Sequence, residues 1–110
     1  SPQDVYLWNS QSVRADPQGT HLESGHFGVS YGQEKLELGK NEFGILRTLM
    51  EHPGKIIERS VLIRNLWETE SFIDDNTLTV NVTRLRRRLE DIGLKNYILT
   101  RKGMGYYVEE

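Results

Sequence analysis

Residues 75–90, DNTLTVNVTRLRRRLE, set amide, hydroxyl and guanidinium side chains at helical intervals. These are groups that read bases. Arginine pairs with guanine edges, asparagine with adenine, and a methyl can meet thymine, all from a helix that fits the major groove. At about 100° per residue, Leu78, Val82, Leu85, Leu89 and Ile92 fall within roughly 40° of one direction, a seam for a core. The opposite side carries Asn76, Val80, Thr83, Arg84 and Arg87. Thr79 and Arg86 occupy one shoulder; Thr77, Asn81 and Arg88 occupy the other. Val80 points away from the core, where nothing in the domain needs it. The plainer alternative is a solvated face with arginines for solubility, and for an isolated helix that alternative is preferred. The rest of the chain reverses the preference.

The 110 residues allow one modest core, so a single domain over 1–110 is expected, with residues 1–4 as linker ahead of it. The absence of cysteine rules out disulfides and thiolate metal sites. No apolar run approaches membrane-spanning length and no signal pattern opens the chain, which together favour a cytoplasmic protein. The net charge of −2 is a poor sign for a nucleic-acid binder until it is divided. Residues 1–75 carry seven Lys/Arg against twelve Asp/Glu, giving −5; residues 76–102 carry seven against two, giving +5. Clustering on one element is the electrostatic footprint that matters.

The elements that must hold this helix follow from period and punctuation. Short alternating runs at 5–8, 20–23, 27–31 and 35–38 predict an antiparallel sheet, with Gly32-Gln33 as a hairpin turn. From Asn41 the period becomes helical through Phe43, Leu46, Leu49 and Met50, and Pro53-Gly54 ends it. Val61, Leu62, Ile63, Leu66 and Trp67 predict a second helix of about two turns after a brief extended piece at Ile56-Ile57. An acidic loop, ETESFIDD at 68–75, precedes the arginine helix at 76–92. Strands at 97–100 and 106–108 close the chain around a tip containing Arg101, Lys102 and Gly103. Gly103 and Gly105 are expected to supply positive φ for that turn. The sum is an α+β winged helix-turn-helix. Its third helix would enter the major groove, and its wing (100–106) would meet the backbone or the minor groove.

Four pieces in this order and spacing, NEFGILRTLMEHPGKII, LIRNLW, VNVTRLRRRLE and TRKGMGYYV, resemble the C-terminal effector domain of OmpR/PhoB-type two-component response regulators. The resemblance covers residues 20–109, and FIDDNTLTVNVTRLRRRLEDIG is most similar to the branch that senses bacitracin and other antimicrobial peptides. It implies base contacts from Thr79, Val80, Asn81, Thr83 and Arg84, and backbone contacts from Trp67, Asn76, Thr77, Arg86 and Arg87, with core packing an equal alternative for Trp67. It implies a wing contact through Arg101, Lys102 and Gly103. Glu68, Glu70, Phe72, Asp74 and Asp75 fall where some members contact RNA polymerase, though a solvated linker is an equal alternative. Implied partners are double-stranded DNA on a direct-repeat operator, and a receiver domain and sensor histidine kinase lying outside this chain.

Two departures concern stability. Gly39 stands where a Ser or Thr cap is usual, so the first helix should start at Asn41 or be weakly capped, and Glu58 replaces the second helix's cap. An enzyme finds no support. His21, His26 and His52 lack metal-ligand spacing, and no nucleophile elbow or phosphate-cradling loop is present, so no metal or cofactor is expected. The alternative in another class is a protein-interaction module using the wing and the acidic loop without DNA.

Overall fold

The alternating runs form strands and the 3.6-period runs form helices, in the order β1 (Val5–Ser10), β2 (Val13–Asp16), β3 (Gly19–Leu22), β4 (His26–Tyr31), β5 (Glu34–Glu37), α1 (Lys40–Glu51), β6 (Ile57–Glu58), α2 (Arg59–Glu68), α3 (Asp75–Asp91), β7 (Leu99–Arg101) and β8 (Gly105–Tyr107). This architecture comes from a computed structural model that describes residues 4–10, 13–16, 19–22, 25–68 and 73–110. The first sheet is antiparallel in the order β1-β4-β5, and β2 pairs with β3 separately. Gly32 makes the β4–β5 turn at φ 60°, with Tyr31 opposite Glu34. The last sheet runs β6-β8-β7, so the extended piece before α2 becomes the inner neighbour of the closing hairpin.

The core lies where one face of each helix meets the first sheet. Ile45, Leu46 and Leu49 of α1, Leu62 and Leu66 of α2, and Leu78, Val82, Leu85 and Leu89 of α3 pack with Val29 of β4. The α3 seam is buried as its spacing requires, with Ile92 half-buried at its end. In α2 only the i, i+4 pair Leu62 and Leu66 is fully covered; Val61 and Ile63 are half-buried and Trp67 is exposed. A ten-residue helix presents one stripe, and Trp67 falls off it.

The structure departs from expectation at three places. The strand β2 escaped a reading that depended on clean alternation. The first helix begins at Lys40 rather than Asn41, and its N-cap Gly39 makes no side-chain bond, which bears out the weak cap, while Glu42 Oε1 accepts the Gly39 N–H at 3.1 Å. That is the returning half of a capping box, supplied by a glutamate that needs no cap hydroxyl in front of it. In the closing hairpin Gly103 has φ 78°, but Gly105 is needed for closeness instead: a Cβ there would lie 2.0 Å from the Ile57 carbonyl oxygen.

Candidate nucleic-acid interface

The sharp start of α3 comes from Asp74. Its carboxylate accepts the Thr77 N–H at 2.7 Å, and this bond holds its pKa below the ordinary aspartate value. Asp75 is tied by Arg59, whose Nε reaches Oδ1 at 2.9 Å, raising the arginine's pKa further. Two of the acidic residues expected on a polymerase-contacting loop therefore organise the helix entry. Glu68 ends α2 and is exposed, while Glu70 and Phe72 lie outside the described residues.

The four arginines of α3 divide into two pairs. Arg84 and Arg87 are exposed and make no hydrogen bond or ion pair to any described residue. Arg88 turns inward: Nη1 meets Glu42 Oε1 at 3.0 Å and Nη2 donates to the Glu37 carbonyl at 2.6 Å. Glu42 is only 5% exposed while Arg88 is half-buried, so this ion pair joins α3 to α1 with its acid inside and its cation at the edge. Arg86, implied as a phosphate contact, donates through Nε to the Ile98 carbonyl at 3.0 Å and through Nη2 to the Thr100 hydroxyl. Its guanidinium also lies 5.5 Å from the centre of the Tyr106 ring. These bonds hold the closing hairpin against the helix.

The smaller polar residues divide similarly. Val80, at 52% exposure, stands outward with Asn76, Thr79 and Thr83. Asn81, implied as a base contact, is buried, and its Nδ2 donates to the Thr77 carbonyl at 2.8 Å. The Thr79 hydroxyl accepts from Arg59 Nη2 at 2.7 Å. The Trp67 ring is 52% exposed, but its indole N–H, implied for a phosphate, is directed at the Ile73 carbonyl at 2.8 Å. At the wing, Arg101, Lys102, Gly103 and Met104 are all exposed, and the Met104 N–H closes the turn on the Arg101 carbonyl at 2.9 Å.

An outward face of valine, threonine and two arginines, on a helix whose start at Asp75 lies by the hairpin tip at Gly103 and Met104, matches a known pattern. The family model described as "Transcriptional regulatory protein, C terminal" matches residues 32–108. The chain belongs to that family, the DNA-binding effector domains of OmpR/PhoB-type response regulators. It is 59% identical over 82 residues to the sensory transduction protein BceR of Halalkalibacterium halodurans, covering 74% of this chain and 36% of that protein. It is 44% identical over 107 residues to the response regulator protein GraR of Staphylococcus haemolyticus, covering 96% and 48%. Among solved structures it is similar to the C-terminal domain of the nisin resistance regulator NsrR, a lantibiotic response regulator, with TM-score 0.69, 40% identity and coverage of 76% and 84%. These likenesses put the effector domain in the antimicrobial-peptide branch. The chain spans between a third and a half of the curated relatives it matches.

The family is not enzymatic. Among the described residues no group of acids and histidines is placed to hold a metal, and no helix is long and apolar enough to cross a membrane. His26 lies exposed at the start of β4 beside Glu37, and His52 caps the end of α1.

Sequence reasoning missed Arg59, Glu42 and Tyr106. Arg59 bonds Asp75, Thr79 and the Tyr106 hydroxyl, joining the starts of α2 and α3 to the wing. A signal existed: Arg59 is the first residue of α2, and a cation at the positive end of a helix is misplaced unless an anion faces it. Glu42 and Tyr106 gave no such warning, since their roles depend on partners 46 and 47 residues distant in sequence.

Proposed function

We propose that this domain reads specific duplex DNA by laying α3 in the major groove, with Val80, Thr83 and Arg84 at base edges and Arg87 and Asn76 at the flanking backbone. The observation that carries this reading is the unpaired couple Arg84 and Arg87 beside an outward valine. A helix needing only solubility would not hold two of its arginines in internal bonds while aiming the other two, with an apolar residue, at one face. The wing supplies Lys102, with Arg101 and Gly103 beside it, to the adjacent minor groove, where narrow A·T tracts concentrate negative potential.

In the full-length regulator the domain is the cytoplasmic output of a receiver domain phosphorylated by a sensor histidine kinase. The antimicrobial-peptide branch sets the class of signal. Head-to-tail binding on direct repeats fits a small domain with one reading helix. Glu68, exposed at the end of α2, is the described residue offered to RNA polymerase.

Selection of bound sequences from a random duplex pool tests the reading. The expected result is a motif repeating at about one helical turn. Affinity should fall steeply with salt as phosphate counterions compete. Recovery of no motif, with binding that ignores salt, would leave a protein-interaction module in its place.

A further inference from the structure

Thr79 stands beside Val80 on the outward face, yet its hydroxyl is already engaged. Oγ1 accepts the 2.7 Å bond from Arg59 and directs its own proton to the Asp75 carbonyl at 3.4 Å. Helical threonine divides between two χ1 rotamers, one of which turns Oγ1 back on the preceding turn. Arg59 favours that one. The guanidinium is itself fixed, with Nε on Asp75 Oδ1, Nη2 on the Asp75 carbonyl as well as Thr79, and Nη1 on Tyr106. Four of its five donors are thus committed within the domain.

Asn81 has likewise turned its amide onto Thr77. Two polar side chains that could address bases are therefore folded back on the protein. The exposed Thr79, Val80 and Thr83 line a hollow of about 370 Å³ with Arg84 and Arg87, and the internally bonded Arg88 and the carboxylate of Asp91 complete its lining. On a major-groove edge the one apolar group is the thymine methyl.

We propose that Thr79 is a specificity-determining residue that reads through its methyl and not its hydroxyl, forming with Val80 an apolar strip for thymine methyls. Arg59 is the positioning residue that sets this orientation. The inference rests on the proposed base-reading role of α3.

The test uses a selected duplex in which each thymine is replaced in turn by uracil, removing only the methyl. Thr79→Val keeps the methyl and loses the hydroxyl; Thr79→Ser does the reverse. Thr79→Val should keep every thymine preference. Thr79→Ser should lose about fourfold, the value of one methyl-sized group, and lose the preference at one position. Arg59→Gln, with folding verified by a melt, should shrink that same preference, a readout that mere destabilisation would not move. Loss in Thr79→Val with retention in Thr79→Ser would overturn the inference in favour of hydroxyl reading. Wild-type behaviour of both Thr79 variants overturns it too, and an unchanged preference in Arg59→Gln removes the positioning role. Arg84→Ala separates the two levels. If it shifts the selected motif while the Thr79 variants behave alike, only this inference fails; if it changes nothing, the reading of α3 fails with it.

Discussion

Arg84 and Arg87 share a helix, a residue type and a neighbourhood with Arg86 and Arg88, yet the two pairs do different work. The difference follows from azimuth. Relative to the core seam, Arg84 and Arg87 lie roughly 120–180° away, while Arg86 and Arg88 lie roughly 80° to either side. A long side chain on a shoulder reaches the elements flanking the helix: Arg86 finds the wing strand and Tyr106, and Arg88 finds Glu42 and β5. Thr79 and Asn81, also on shoulders, are tied as well. A side chain on the far face reaches only solvent or a partner. An arginine cluster is therefore not a uniform patch, and its count overstates the charge available to DNA.

Arg88→Ala should break the comparison most severely. It leaves Glu42, 6% exposed at its side chain, without its cation. Breaking a buried pair costs about 3–5 kcal/mol, and the 35% exposure of the Arg88 side chain lowers the expectation to about 2–3 kcal/mol. Chemical denaturation measures it. A loss below about 0.5 kcal/mol would mean that the pair is ornamental and that Arg88 belongs with the outward couple.

Arg84→Ala is the mirror image. Its stability should stay within about 0.5 kcal/mol of wild type, since nothing inside the domain depends on it. Affinity for the best duplex should fall by about 1–3 kcal/mol, with preference flattened at one base pair. Unchanged affinity and motif would remove Arg84 from base reading.

Arg86→Ala decides between two accounts of one residue. The family resemblance implies a phosphate contact, so random and specific duplex would weaken alike and the salt slope would drop by about one. The bonds to Ile98 and Thr100 imply a lost anchor, costing about 1–2 kcal/mol of stability, below the full value of charged hydrogen bonds because the site is partly exposed. We expect the second result. A lowered salt slope in a protein as stable as wild type would return Arg86 to the phosphate backbone.

This division marks how far the sequence could be read. Periodicity located each described helix, the buried seam of α3 and the outward placement of Val80, because each depends on a local repeat. It could not see that Asn81 would be buried or Arg86 anchored, because a shoulder residue's fate depends on what the fold brings alongside. The family resemblance supplied site roles residue by residue, and those on shoulders are the ones the structure qualifies. Trp67 shows the same limit: its ring is exposed as a contact residue's should be, while its N–H faces the Ile73 carbonyl.

The smallest effect belongs to the wing. Lys102 resembles Arg84 in being exposed, but it sits on a three-residue turn closed by a single backbone bond, not on a packed helix. A cation held so loosely can follow the minor groove but cannot hold the geometry needed for base-edge hydrogen bonds. Lys102→Ala should therefore lower affinity by less than about 1 kcal/mol, and more on A·T-rich flanks, where the groove is narrow and more negative. The folded state should be unaffected within about 0.5 kcal/mol. Arg101→Ala should do less, since Arg101 is the last residue of β7 and stands behind the turn that carries Lys102. Titrating both variants on duplexes that differ only in flank composition gives the answer. If Lys102→Ala binds every flank like wild type, the wing is not a DNA contact, and the outward class of cations shrinks to Arg84 and Arg87.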